Sequence, residues 1–448
     1  MKSNFIIFSV IACILCLITI TNSKSPVKNL PGFPGDLPFT LETGYVGVGD
    51  NDEIQFFYYF VESQRDPLHD PLLLYLSGGP GTPALYAFMY QMGPLTMNLE
   101  STSSNNISLL ELNDNSWTKV ANVIFVDVPA GVGFSYAKTW EASRSGDSIL
   151  ASHTCDFITK WLMNHPSFLH NPLYISGLSY MGILVPFITL KAFIGNERGN
   201  QPRLNIKGCF IMSPLTDKFG DFNSRLEYAH QFALIPDDIY YAAKETCHGN
   251  YVISDPNNAL CSKNLQQAEE GKRDQYVVSW VNNQDVQKAL HVREGTKWGQ
   301  SRDTHYSFMK NDTINYSYDI FSSFAYHKEL TKRDCQVLIL NGDHDMTFPY
   351  VSTLAWITSL NLSIESPWDT WFVGNQIAGY RMTFAKDGYT LNYATVKGAG
   401  HSTTTDKPKE TLVIVDEWLS SHIHLRHDSF HSIKLLVEVK KMNNAGIV

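Results

Sequence analysis

Apolar residues in this chain come in short unbroken runs, each closed by glycine, proline or polar residues. Residues 71–81, PLLLYLSGGPG, run apolar and then break into a glycine-rich loop, and residues 120–136, VANVIFVDVPAGVGFSY, repeat the design. NPLYISG (171–177), IKGCFIMSP (206–214), CQVLILNGDHD (335–345) and YATVKGAGH (393–401) continue the series. Strands buried on both faces read this way, whereas strands with one wet face alternate. Helical stretches such as SILASHTCDFITKWLMNHP (148–166) lie between several of them. The pattern predicts an α/β fold with a largely parallel central sheet covered on both faces. Upstream, YVGVG and IQFFYYFV flank the turn GDND and predict an antiparallel meander.

Residues 216–333 break the rhythm. They are polar, rich in Asp, Asn, Gln and Tyr, and mostly helical or irregular, as in DDIYYAAKETC and DVQKALHVREGT. They read as an insertion, a cap lying over the sheet edge where ligand sites form in α/β proteins. The core then divides into a first part, 24–215, and a second part, 334–421. The tail, 422–448, is basic, His-rich and divergent, and no internal repeat interrupts the chain.

The first 23 residues stand apart. A lysine at position 2, an apolar run from Phe5 to Ile20 and small residues near Thr21 and Ser23 predict a cleaved secretory signal. The run is short for a membrane span, so no anchor is expected after cleavage. The expected location is the secretory pathway, either secreted or vacuolar. Cys13 and Cys16 leave with the signal, and of the remaining five cysteines Cys247 and Cys261 are the nearest pair, the best disulfide candidate in an oxidising compartment. Closing that loop is worth about 3 kcal/mol. Sequons at Asn106, Asn311, Asn315 and Asn361 suit a glycoprotein. A formal charge of −9 without a basic patch argues against nucleic acid as a partner.

Candidate chemistry begins at Ser179, between Gly177 and Gly182 at a strand-to-helix turn. Small residues flanking such a turn let a serine hydroxyl stand above the sheet. Asp343 and Asp345 follow the next-to-last apolar run, and His401 follows the last. Ser, Asp, His is the chain order of the α/β-hydrolase fold. A serine hydroxyl needs an imidazole to take its proton, and the imidazole needs a carboxylate to fix its tautomer. Both aspartates are candidates for that acid. An aspartate pair could also bind metal, but no further ligand cluster accompanies it, and the chemistry calls for no cofactor. The loop Ser77–Gly81 offers bare backbone N–H groups, with the N–H of Tyr180 as a second oxyanion donor. It lacks the Lys-Ser/Thr of a phosphate-binding loop.

These motifs, in this order, resemble the plant serine carboxypeptidase-like family (peptidase family S10). LETGYVGVG, FFYYFVES, DPLLLYLSGGPG, SWTKVANVIFVDVPAGVGFSYA, GLSYMG, DVQKALHVREGT, NGDHDM and KGAGHS carry the likeness, from about Leu30 to Leu419. The similarity is greatest to the branch that acts as acyltransferases on glucose esters. The resemblance implies Ser179, Asp345 and His401 as catalytic triad and Gly79 with Tyr180 as oxyanion hole. It also implies that Tyr75, Ser77, Gly78 and Leu178 line the substrate site.

Departures from the family's pattern sharpen the expectation. Peptidases of the family carry an acid before the nucleophile and read W-L-N-G-G-P-G at the oxyanion strand, and they use those Trp, Asn and acid side chains to hold a peptide's C-terminal carboxylate. Here Leu178, Tyr75 and Ser77 stand in their places. A carboxylate seated without partners costs several kcal/mol. Leucine is typical of neither branch. The family's cysteine after GGPG is Thr82 here, and further cysteines beyond Cys261 are missing. The expected function is transfer of an acyl group from a small-molecule donor, a 1-O-glucose ester, to an alcohol acceptor. The alternatives are a serine carboxypeptidase acting on peptide C-termini and a catalytically impaired binding protein on the same scaffold.

Overall fold

The computed structural model describes residues 25–102, 108–251, 258–261, 280–293 and 316–421. The expected signal segment, the tail and the sequons at Asn106, Asn311 and Asn315 lie outside the described residues.

The centre of the molecule is one mixed sheet. In chain order its main strands are β1 (Ser25–Val27), β2 (Leu41–Val48), β3 (Ile54–Val61), β4 (Leu72–Leu76), β5 (Asn122–Val126), β6 (Leu173–Leu178), β7 (Ile206–Met212), β8 (Gln336–Gly342), β9 (Ser363–Val373), β10 (Gln376–Lys386) and β11 (Tyr389–Val396). In space they run β1-β2-β3-β5-β4-β6-β7-β8-β11-β10-β9. The six strands from β5 to β11 in that order are mutually parallel. Antiparallel strands flank the block on both sides.

The unbroken apolar runs form the parallel strands because both faces are covered. Every residue of β4, β5 and β6 is buried. Alternate residues feed two separate cores: Leu73, Tyr75, Val123 and Phe125 pack into one, and Leu72, Leu74, Ile124 and Val126 into the other. On the second face lie helix α1 (Asp147–Asn164) and helix α2 (Met181–Glu197), which contribute Phe157, Trp161, Leu184 and Ile188.

The hairpin β9–β10 was not expected from the sequence. SIESPWDTWFV lacks an apolar run because β9 is the outermost strand, mostly exposed, where a proline costs no ladder hydrogen bond. From the 216–333 region, helix α3 (Lys218–Gln231) packs on the loop that follows β8. Arg225 Nε donates to Thr347 O at 2.7 Å, and Tyr228 donates its hydroxyl to Asp343 O. Helix α4 (Asp237–Cys247) ends in the disulfide Cys247–Cys261, with Cα atoms 5.1 Å apart. Cys155, Cys209 and Cys335 are free thiols.

Candidate active site

Parallel strands deliver their C-terminal ends to one edge, and the candidate residues follow three of them. Ser179 succeeds β6, Asp345 lies three residues past β8 and His401 five past β11. β6, β7, β8 and β11 are consecutive neighbours, so the three loops rise side by side.

Ser179 occupies the sharp turn between β6 and α2. Its φ is 65°, a left-handed conformation that a residue with a Cβ adopts at a cost of roughly 1–2 kcal/mol. Hydrogen bonds hold it there. The Ser179 N–H donates to Met212 O at 2.9 Å, and its carbonyl accepts from Gly182 N–H (2.9 Å) and Leu215 N–H (3.0 Å). Across the turn, a Cβ on Gly78 would lie 2.6 Å from both Leu178 O and Ser179 Cβ, so only glycine fits there without displacement.

The two aspartates separate cleanly. Asp345 is fully buried, and its Oδ2 lies 2.9 Å from His401 Nδ1. Its Oδ1 accepts Thr347 N–H at 2.7 Å. A carboxylate only accepts, so Nδ1 is the donor, and in the neutral ring that tautomer leaves Nε2 as an acceptor. Asp343 instead accepts Gly398 N–H at 2.6 Å and braces the loop that carries His401. The His401 ring packs edge-on against Phe348 and stays partly exposed.

Beside the serine, Gly79 takes φ 69°, and its loop is pinned by Asp127, whose Oδ1 accepts Ala84 N–H at 2.8 Å. The other oxygen of Asp127 accepts Phe134 N–H at 3.0 Å. Complete burial pushes that carboxyl up to about 7 in spite of both donors. Tyr180 caps the N-terminus of α2, where the helix presents the positive end of its dipole.

A profile of the serine carboxypeptidases matches residues 31–274 and 269–421. The chain belongs to the serine carboxypeptidase family. Serine carboxypeptidase-like 17 of Arabidopsis thaliana is 40% identical over 431 residues, 91% of this chain and 95% of the relative. Serine carboxypeptidase-like 13 of the same plant is 38% identical, covering 92% and 98%. Among solved structures, the Saccharomyces cerevisiae prohormone-processing carboxypeptidase Kex1Δp superposes with a TM-score of 0.70. It covers 88% of this chain and 94% of its own at 18% identity, which speaks for the shared α/β-hydrolase fold alone.

Within the serine carboxypeptidase framework the expected substrate-lining residues divide. Ser77 is buried, and its Oγ has no hydrogen-bond partner among the described residues. Gly78 lies against the elbow, as above. Leu178 is 7% exposed and packs in the apolar layer with Phe210 and Met212. Tyr75 faces the core. It is fully buried, its ring packs against Trp117 and Phe125, and its hydroxyl donates to Gln91 at 3.1 Å. Its strand is covered on both faces, so its side chain serves the core. Asn361 is exposed just after a helix, at φ 54°.

Sequence patterns alone did not single out Asp127 or Asp147. Asp127, after a buried run, looks like a turn residue until the two backbone amides it accepts are seen, and Asp147 looks like an ordinary first-turn helix residue.

Proposed function

We propose that this serine carboxypeptidase-like chain transfers an acyl group from a 1-O-glucose ester to an alcohol through an acyl-enzyme on Ser179. The observation that carries the reading is the 2.9 Å His401–Asp345 pair on the same sheet edge as a serine held at φ 65°. His401 Nε2 takes the Ser179 proton as Oγ attacks the ester carbonyl. The tetrahedral oxyanion is met by the N–H groups of Gly79 and Tyr180. Collapse breaks the bond to the sugar oxygen, and His401 returns the proton to that leaving group. The acceptor alcohol then repeats the sequence in reverse: it loses its proton to His401, takes the acyl group and frees Ser179.

Preference for transfer rests on Leu178. An apolar, buried side chain stands where the family's peptidases carry an acid, and Tyr75 is committed to the core. Neither offers a partner to a peptide carboxylate. The family's own description favours a second reading, release of C-terminal residues from peptides.

Incubation of purified protein with acyl-glucoses and plant alcohols, read by mass spectrometry beside a peptide panel, distinguishes the two. New esters are expected. Shortened peptides with no ester would establish the peptidase. A fluorophosphonate probe that labels wild type and Ser179→Ala equally would remove both.

A further inference from the structure

Tyr180, the residue after the nucleophile, is held by its side chain as well as its backbone. Its ring is buried and its hydroxyl donates to Asp147 Oδ1 at 2.9 Å. The same oxygen accepts the Tyr316 hydroxyl at 2.8 Å, and Oδ2 accepts Ile320 N–H at 2.9 Å. Asp147 is fully buried, so its charge survives only with such donors around it. Burial pushes its carboxyl up, and the attraction of Lys218 counters part of that push. Lys218 is itself 4% exposed, with its ammonium 5.4 Å from the Tyr180 ring centre and 5.5 Å from that of Tyr318. Tyr318 meets the Tyr180 ring edge-on at 5.6 Å. Short pairing of Tyr316–Ser317 with Ser145–Gly146 ties the contributing segments together.

We propose that Asp147 is a positioning residue of the oxyanion hole, acting through Tyr180; the proposal rests on the acyl-enzyme reading above. The Ser179–Tyr180 peptide carries the oxyanion-donating N–H, and it adjoins a residue in strained left-handed geometry. Strain of that kind relaxes by rotating the adjoining peptide. The clamp on the far end of the Tyr180 ring opposes the rotation and keeps the N–H aimed at the space above Ser179. Preorganised donors lose most of their effect when displaced by a fraction of an ångström.

The test uses the full chain, an activated aryl ester and phenylboronic acid, whose tetrahedral anion mimics the charged intermediate. Wild type must first label with a fluorophosphonate; if it does not, the acyl-enzyme reading fails on its own. Tyr180→Phe removes only the hydroxyl and is expected to lower kcat roughly 10- to 100-fold at unchanged KM. Boronate affinity should fall in parallel. Asp147→Asn is expected to do the same where it folds, and if it does not fold, Tyr180→Phe decides. Wild-type kcat and boronate affinity in folded Tyr180→Phe, or an effect confined to KM, would overturn the proposal.

Discussion

Alanine at position 78 tests how tightly the Ser77–Gly81 loop packs against the Leu178–Ser179 turn. Gly78 lies outside the left-handed region, so its backbone admits a Cβ and the consequence is purely steric. The added carbon would sit 2.6 Å from Leu178 O and from Ser179 Cβ. Ordinary contact begins near 3.4 Å, so loop and elbow must part by about 0.8 Å. A displacement of that order at reacting atoms costs about 100-fold in rate, or about 2.7 kcal/mol of barrier. The assay is the second-order rate of fluorophosphonate labelling, with folding followed by circular dichroism. Gly195→Ala is the control. Its Cβ would meet only Asn200, at 3.4 Å, inside helix α2, and it should label normally and gain up to about 1 kcal/mol of stability. Folded Gly78→Ala that labels at the wild-type rate would refute the steric reasoning.

Asp345→Asn should keep the fold and lower kcat by about 1,000- to 10,000-fold, since the amide no longer selects the Nδ1–H tautomer of His401; steady-state ester turnover reads this, and a loss below 10-fold argues for another acid. Cys247→Ser opens a bridge spanning 14 positions and should cost about 3 kcal/mol in urea unfolding; a midpoint indifferent to reductant would contradict it. Burial raises the Asp221 carboxyl from 3.8 to about 6. The folded state therefore binds the extra proton between those values, and stability falls as pH rises through that window. Both amides that contact Asp221, those of Thr216 and Asp217, reach the same oxygen, at 2.6 and 2.9 Å, so asparagine can preserve them. Asp221→Asn should match wild type near pH 4 and exceed it by up to about 3 kcal/mol at pH 7; a difference independent of pH sinks the linkage.

The parallel block was legible because a strand covered on both faces is nearly all apolar, as LLLYL is and as NVIFV is after its hydrogen-bonded Asn122. The ends of those runs pointed to Ser179, to the pair Asp343 and Asp345, and to His401, because together they follow the Ser, Asp, His chain order of the fold. The choice between Asp343 and Asp345 was not legible from the residues themselves. Two positions apart on one loop, they differ only in which partner each meets, Gly398 N–H or the imidazole. The surroundings of Tyr75 were hidden for a related reason. Its run predicted a buried strand, and the expectation of a ligand contact came from the likeness to peptidases, which carries no information on which way a side chain points. The outer hairpin β9–β10 escaped because an exposed edge imposes no apolar period. The Asp147 cluster joins positions some 170 apart in the chain, and no local pattern marks such a meeting.

The loops after β8 and β11 are stapled to each other. His344 N–H reaches Ala399 O at 2.9 Å, Gly398 N–H reaches the Asp343 carboxylate, and Asp345 grips His401. Asp345 and His401 are therefore braced as one block. Helix α3 belongs to the same block, tied to it through Arg225 and Tyr228, whereas the Ser77–Gly81 loop follows β4 on the other side of the Ser179 strand. Sequence change in the Ser77–Gly81 loop can therefore accumulate without disturbing the Asp345–His401 pair.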